Sequence, residues 1–257
     1  ALAVEKIVSV IPYELRQKYA LSPLDGAYRA IHAPKTQQEM REAAERIALE
    51  EYFTLLSAVK LIKGDRQEAR VNKYTVTERE VADFEKRFPF PFTAGQQAAV
   101  RAIYDNVTGP VRMNRLLQGD VGSGKTAVAL TGIFMALKSG FQAVYLSPTE
   151  VLAAQNYALL QRTFPEYRVG YLAGGSTAKE KRELKAALAA GEIDVLCGTH
   201  AVLQGDVRFK NLAFCVCDEQ HRFGVAQRNK LGEKGESPDM LVMSATPIPR
   251  TLSLIFY

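Results

Sequence analysis

The stretch Arg115-Leu-Leu-Gln-Gly-Asp-Val-Gly-Ser-Gly-Lys-Thr126 joins a short apolar run to a glycine-rich turn. Residues 119–126 fit the pattern G-x-x-x-x-G-K-[ST], and a helical apolar pattern continues from residue 127. In such a turn the backbone N–H groups point inward, and the helix that follows adds the positive end of its dipole. The sequence therefore predicts a strand, a phosphate-binding loop and a helix, the unit from which α/β proteins are built.

The chemistry of this loop is divided among a few residue types. Glycine at position 124 allows phosphates to approach, because any Cβ there would crowd them. Lys125 supplies positive charge to the β- and γ-phosphates, and the Thr126 hydroxyl is a hard oxygen ligand for Mg²⁺. We predict that the nucleotide is bound by Gly119, Gly122, Ser123, Gly124, Lys125 and Thr126.

Short apolar runs alternate with helical patterns from Thr93 onward. The runs are rich in Val, Leu and Ile and are predicted to be strands at 115–118, 143–147, 168–172, 194–197, 213–217 and 240–244. Helical patterns lie between most of them, for example at 126–139, 150–163 and 179–190. This alternation predicts a mostly parallel sheet with helices on both faces.

The first part of the chain has a different pattern. Residues 1–36 are expected to be irregular because prolines interrupt them, whereas apolar residues at three- and four-residue steps predict a long helix over 37–63. A second helix is predicted over 76–88, capped by Thr77. The prolines of Phe88-Pro-Phe-Pro-Phe92 then require an extended backbone. We therefore predict two regions, a largely helical one over 1–92 and an α/β domain over 93–257.

Composition is typical of a globular protein. The 257 residues are 47% hydrophobic and 24% charged, which argues against a disordered or fibrous chain. A net charge of +5 is compatible with nucleic-acid binding, but charge alone favours a mixed solvated surface. Apolar stretches fall short of the roughly 20 residues that span a membrane. Three cysteines are too few for a disulfide framework, which favours a reduced, cytoplasmic setting.

Two carboxylates follow the predicted strand 213–217. Asp218 and Glu219 stand at its carboxyl end, the edge of an open α/β sheet at which ligands bind. Asp218 is predicted to hold Mg²⁺, partly through water, and Glu219 to polarise the attacking water. The alternative for two adjacent carboxylates alone is a helix cap or a solvated turn, and their pairing with the phosphate loop favours the catalytic interpretation.

These residues also carry a resemblance to a known superfamily. Asp218-Glu-Gln-His221 resembles the second nucleotide motif of superfamily-two helicases and translocases. Three other stretches resemble its motifs Ia, Ib and III in the expected order, at 147–155, 198–204 and 244–246. Gln96 stands where this superfamily places a glutamine that reads adenine. A capping box with Thr93 is the alternative role for Gln96.

Within the superfamily, the chain most closely resembles the RecG family of bacterial DNA helicases. Three strings carry the likeness, at 113–126, 218–225 and 244–252, and residues 23–34 resemble the segment that joins that family's wedge domain to its motor. The transcription-repair coupling translocases share Thr-Pro-Ile-Pro-Arg-Thr, but they usually differ at Ser123 and at Gln220-His221. A non-catalytic module that only binds nucleotide or DNA is the alternative from another functional class.

The resemblance implies a RecA-like P-loop domain preceded by a linker, with ATP and Mg²⁺ as cofactors. Forked or branched DNA is the implied partner, and the parent protein is expected to be a cytoplasmic monomer with no membrane contact. The family's wedge domain and second RecA-like domain, with its arginine finger, are expected to lie outside this sequence. Measured alone, the chain is then expected to bind nucleotide and to turn it over poorly.

The resemblance also assigns roles to polar residues at other strand ends. DNA contact is implied for Pro148, Thr149, Thr199 and His200. The alternative is local turn chemistry, since Thr149 could cap the next helix. Coupling between nucleotide state and DNA grip is implied for Gln220, His221, Ser244 and Thr246. A hydrogen-bond network with no switching role is the alternative there.

Overall fold

The computed structural model describes residues 7–64, 69–175, 177–218 and 230–245. The described residues fall into two compact units, one on each side of the gap at 65–68. The first unit is helical, and the second contains a sheet with helices.

Three helices form the first unit: α1 (Tyr13–Lys18), α2 (Leu24–His32) and α3 (Gln37–Gly64). The long helix confirms the prediction over 37–63. The expectation that residues 1–36 are irregular is wrong, because α1 and α2 lie there. Pro12 and Pro23 stand directly before these helices. At that position the missing N–H of proline breaks no helical hydrogen bond, so proline permits the start of a helix.

A polar cluster ties the start of the first unit to α3. The Arg46 guanidinium lies 2.6 Å from the Glu50 carboxylate, and the Ser9 hydroxyl donates to Glu50 at 2.9 Å. Arg46 also donates to the Ser22 carbonyl at 3.0 Å. Burial by itself would raise the pKa of Glu50, but hydrogen bonds from Arg46 and Ser9 leave that pKa below its usual value. The cluster therefore stabilises the ionised carboxylate.

The second unit contains a six-stranded sheet in which every pairing is parallel. Its strands are β1 (Asn114–Gln118), β2 (Gln142–Leu146), β3 (Val169–Leu172), β4 (Val195–Gly198), β5 (Leu212–Cys217) and β6 (Asp239–Ser244). Their order across the sheet is β1-β6-β5-β2-β4-β3. All six predicted strands are confirmed, each to within two residues at its ends.

The helices described in the second unit include α4 (Glu78–Glu85), α5 (Ala94–Val107), α6 (Lys125–Lys138), α7 (Glu150–Thr163) and α8 (Ala178–Ala190), and a 3₁₀ turn covers His200–Leu203. The predicted capping box of Thr77 and Glu80 begins α4, although this helix ends before residue 88. Two apolar clusters line the sheet. Helix α6 is buried over 127–137, which explains its almost continuously apolar sequence. This confirms the predicted α/β class.

The segment before Thr93 packs within the second unit. Arg70 pairs with Asp239 at the start of β6, and the Tyr74 hydroxyl donates to the Ala213 carbonyl of β5 at 3.1 Å. The second compact unit therefore includes the described residues 69–92, which precede the predicted boundary at residue 93. The assignment of residues 1–92 as a linker stays a prediction.

Candidate nucleotide-binding site

The predicted site residues lie at the edge where the parallel strands end. Strands β1, β6 and β5 are neighbours, and Gln118 is in register with Ser244 across β1 and β6. The phosphate loop leaves β1 and Asp218 leaves β5, so the sheet brings both to one edge. Between them, the Gly119 N–H donates to the Ser244 carbonyl at 3.3 Å. Ser244 itself is buried.

Two glycines give the loop its shape. Gly122 and Gly124 have φ of +79° and +78°, in the left-handed region that side chains disfavour. A Cβ on Gly124 would lie 2.1 Å from the Gln96 amide nitrogen. The backbone conformation therefore favours glycine at position 124, and a Cβ there would also force the end of the Gln96 side chain to move.

The ammonium group of Lys125 lies against the loop that precedes it. Its Nζ donates to the carbonyl oxygens of Gly119 and Asp120 at 2.7 and 2.9 Å. Lys125 is the first residue of α6, so its charge adds to the positive end of that helix. Three features of the loop can therefore attract a bound anion. They are its backbone N–H groups, the dipole of α6 and the ammonium group of Lys125.

The side chain of Gln96 makes contacts through both ends of its amide. Its Oε1 accepts from the Thr93 N–H at 2.8 Å, which completes a capping box at the start of α5. Its Nε2 donates to the Ser123 carbonyl at 2.9 Å. The capping alternative is thus confirmed, and Gln96 also ties α5 to the phosphate loop. Its reading of adenine stays a prediction.

Asp218 has a partner that sequence reasoning missed. The hydroxyl of Tyr145, in β2, donates to the Asp218 carboxylate at 3.4 Å, and the Asp218 N–H donates to the Leu146 carbonyl at 2.9 Å. The Thr126 side chain interacts with the same hydroxyl. Burial raises the pKa of Tyr145 well above its usual value, and the charge of Asp218 adds to this shift. One hint of this contact is present in the sequence, since Tyr145 places a polar hydroxyl within the predicted strand 143–147.

The donor set suits Mg²⁺. Thr126 and Asp218 present a hydroxyl and a carboxylate around one tyrosine, and both are hard oxygen donors. Within the described ranges, no group of three or more His, Cys, Asp or Glu could hold a metal by itself. Mg²⁺ typically binds one or two protein oxygens together with substrate phosphates and water, so two such donors beside a phosphate loop fit it.

A cavity of about 460 Å³ opens beside the loop. Its lining includes Gly124 and Thr126, the apolar side chains of Phe90 and Leu130, and the polar side chain of Arg162. Phe90 is partly exposed, in the proline-rich segment before α5. The cavity therefore places an apolar wall next to the phosphate-binding turn, and the sequence pattern showed only that this segment is extended.

The residues expected to contact DNA lie at the ends of β2 and β4, which are adjacent strands. Thr149 accepts from the Leu152 N–H at 3.3 Å and begins α7, so its capping role is confirmed. Pro148 is half-buried and His200 is exposed. Thr199 is buried, and its hydroxyl has no hydrogen-bond partner among the residues that the structure describes. Of the four residues expected to contact DNA, Thr199 is therefore the one whose side chain is not exposed to solvent.

Four predicted residues lie outside the described ranges. Glu219, Gln220 and His221 fall in the gap at 219–229, and Thr246 follows the last described residue.

The parallel sheet, the glycine loop and the acidic strand end define a P-loop nucleotide-binding domain of the RecA-like type. The profile of the DEAD/DEAH box helicase family matches residues 93–255. The chain therefore belongs to the DEAD/DEAH box helicase family.

Curated relatives include ATP-dependent DNA helicases RecG. The protein of Bacillus subtilis is 42% identical over 250 residues, which cover 96% of this chain and 37% of the relative. The protein of Thermotoga maritima is 42% identical over 249 residues, which cover 96% and 32%. The likeness to RecG predicted from the sequence is confirmed. The chain spans about a third of the length of these relatives.

Solved structures agree on the fold. A structure of RecG bound to a three-way DNA junction is 40% identical, with a TM-score of 0.81, and the match covers 98% of this chain and 34% of that one. The DEAD-box helicase Mss116, bound to single-stranded RNA and UDP-BeF, is 22% identical with a TM-score of 0.54 over 70% of this chain. The latter likeness concerns the fold alone. Among the helices described, none combines the length and apolar character needed to cross a membrane.

Proposed function

We propose that the chain is the ATP-binding motor segment of a DNA helicase or translocase of the RecG type. Hydrolysis in the whole protein would drive the remodelling of stalled forks and the migration of branched junctions. The observation that carries the proposal is the convergence of the phosphate loop and Asp218 on one sheet edge, in a chain that is 42% identical to RecG relatives.

The residues of this chain divide the chemistry between them. The loop N–H groups and Lys125 bind and neutralise the phosphates, and the cavity beside Phe90 accommodates the base. Thr126 and Asp218 would hold Mg²⁺, which would further neutralise the phosphate charge. Glu219 follows Asp218 in the chain and orients the attacking water. Positioning and electrostatics suffice for this reaction, because phosphoryl transfer requires little covalent chemistry from the protein.

We further propose that the neighbouring ends of β2 and β4 contact DNA. Pro148, Thr149 and His200 lie there with at least partial exposure, and such contacts to phosphates would not read sequence. Thr199 is buried, so we assign it to supporting this turn rather than to direct contact. Ser244 lies between the phosphate loop and Asp218, which supports a coupling role together with Gln220, His221 and Thr246.

Residues 1–92 are proposed to link a wedge domain to the motor, and 93–257 to form the first RecA-like domain of a monomeric, cytoplasmic protein. The transcription-repair coupling translocase remains the second candidate, supported by the Thr-Pro-Ile-Pro-Arg-Thr string at 246–251. The identity to RecG relatives over nearly the whole chain favours the RecG type.

The test measures ATP hydrolysis and nucleotide binding by the 257-residue chain, with and without forked DNA. Binding that Lys125→Ala abolishes supports the proposal. Turnover is expected to be slow, because an arginine finger is worth about 10³–10⁵ in rate and the family carries it in a second domain. A chain that binds no nucleotide would refute the proposed function. Fast, DNA-stimulated turnover by these 257 residues alone would refute the expected dependence of the reaction on an arginine finger from another domain.

A further inference from the structure

Tyr145 occupies an unusual place for a buried tyrosine. It is the fourth residue of the five-residue strand β2, and only 1% of it is exposed. Its neighbours in register are Val216 on β5 and Cys197 on β4, so its ring is enclosed by the middle of the sheet. Packing accounts for the ring. It does not account for the hydroxyl, because phenylalanine would fill the same core.

The hydroxyl is directed to the nucleotide site. It donates to the Asp218 carboxylate at 3.4 Å, and the Thr126 side chain interacts with the same oxygen. Asp218 follows β5 and Thr126 lies in the first turn of α6, so they belong to different elements. The buried hydroxyl thus donates to one of the two oxygen donors that the proposed function assigns to Mg²⁺, Asp218, and lies near the other, Thr126.

Among the residues that the structure describes, the other ionisable group that acts on Tyr145 is the thiol of Cys197. The Cys197 thiol is buried and donates to the Ala153 carbonyl at 3.3 Å, and burial raises its pKa to about 12. It therefore stays protonated and neutral at physiological pH. A hydrogen bond to an ionised carboxylate is stronger than one between neutral groups, which favours Asp218 as the partner of the hydroxyl.

We propose that Tyr145 is a positioning residue for the metal site. Its hydroxyl fixes the Asp218 carboxylate and the Thr126 side chain relative to each other before Mg²⁺ and nucleotide arrive. The inference rests on the proposed function and adds to it a residue outside the phosphate loop and the acidic motif. Preset donors lose less freedom on binding, so the hydroxyl acts on metal-dependent affinity rather than on the binding of the nucleotide as such.

The test compares the wild-type chain with Tyr145→Phe in binding a fluorescent ATP analogue, titrated with Mg²⁺ and repeated in EDTA. The variant keeps the ring and removes only the hydroxyl. We expect the Mg²⁺ concentration for half-maximal binding to rise about three- to tenfold, the range of one net hydrogen bond. Affinity in EDTA is expected to stay unchanged. Tyr74→Phe is the matched control, since it removes a hydroxyl that donates to the Ala213 carbonyl away from this edge.

A second variant tests the same contact from the side of the carboxylate and closes a double-mutant cycle. Asp218→Ala retains the tyrosine and removes its charged partner, and it should raise the Mg²⁺ requirement by at least as much. In the double variant, the loss of the hydroxyl should then have little further effect. An additive, undiminished effect in the double variant would overturn the positioning role.

The remaining outcomes separate the two proposals. Wild-type Mg²⁺ dependence in a folded Tyr145→Phe chain overturns the role of Tyr145 and leaves the proposed function standing. An equal loss of affinity with and without Mg²⁺ also overturns it, because that result indicates a merely structural effect. A wild-type chain that binds no nucleotide in either condition refutes the proposed function, and the role of Tyr145 with it.

Discussion

Replacing Arg70 with alanine removes a guanidinium that is buried at the start of β6. It donates to both carboxylate oxygens of Asp239, at 2.5 and 2.9 Å, and the two side chains are only 6% and 0% exposed. Its Nε donates to the Gly109 carbonyl, and Nη2, which also contacts Asp239, donates to the carbonyl oxygens of Asn106 and Val111, each at 2.8 Å. Arg70→Ala therefore leaves a fully buried carboxylate without its guanidinium.

The size of the loss follows from this burial. Removing one partner of a buried ion pair costs about 3–5 kcal/mol, because the remaining charge is uncompensated. The Met113 N–H still donates to Asp239 at 2.6 Å, which places the expected loss near the lower bound, about 3 kcal/mol. Arg70→Lys should recover only part of it, because an ammonium cannot reproduce the forked donor geometry of the guanidinium.

Urea unfolding followed by far-UV circular dichroism measures this change in the free energy of unfolding. Arg101→Ala is the matched control. Arg101 also pairs with a carboxylate, Glu78, at 2.7 Å, but both side chains are more than half exposed. The control should show no measurable loss, because exposed pairs contribute little. Equal stability of Arg70→Ala and Arg101→Ala would refute the argument from burial.

Three further predictions concern the loop, its neighbour and the first unit. Gly124→Ala should weaken nucleotide binding by about tenfold, because a left-handed backbone costs a side chain about 1–2 kcal/mol and the Cβ displaces the end of the Gln96 side chain. Gln96→Glu keeps the acceptor of the capping box but loses the donor to the Ser123 carbonyl, so thermal stability should fall slightly, while any preference for ATP over GTP falls roughly tenfold. Glu50→Gln should destabilise the first unit at pH 7. The folded-state pKa of Glu50 is lowered, so this difference should shrink as the pH falls through and below about 4.5, its ordinary value.

Each of these has its own contrary result. For the loop, Gly205→Ala is the control, since a Cβ there meets nothing within 4 Å, and equal binding by both variants would contradict the steric argument. For Gln96, a retained preference for ATP would limit its role to capping α5 and holding the loop. For Glu50, urea unfolding of the wild-type chain and of Glu50→Gln from pH 7 to pH 3 measures the difference in their free energies of unfolding. A stability difference that grows on acidification would reverse the assigned sign.

The sequence by itself determined the parts whose physics is local. A glycine-rich turn between an apolar run and a helix is contiguous, so the loop at 119–126 and the helix after it could be predicted from neighbouring residues alone. The parallel sheet followed from the alternation of short Val- and Leu-rich runs with helical patterns. Parallel strands end at one edge, so the juxtaposition of Asp218 with the loop was also predictable. The two short helices before residue 33 were not predicted, because proline was interpreted as a residue that interrupts helices. Pro12 and Pro23 instead stand directly before the first residue of a helix.

Only the tertiary structure decided which distant residues support the site. Arg70 and Asp239 are 169 positions apart, and Tyr145 and Asp218 are 73 apart. Such contacts depend on strand order, which placed β5 between β6 and β2 and so brought the end of β2 against Asp218. From the sequence alone, Tyr145 is predicted only to be a large residue within a buried strand. Its hydroxyl acquires a role only when the packing of α6, β2 and β5 brings a carboxylate and a threonine to it, because hydrogen bonds depend on distance in space and not along the chain.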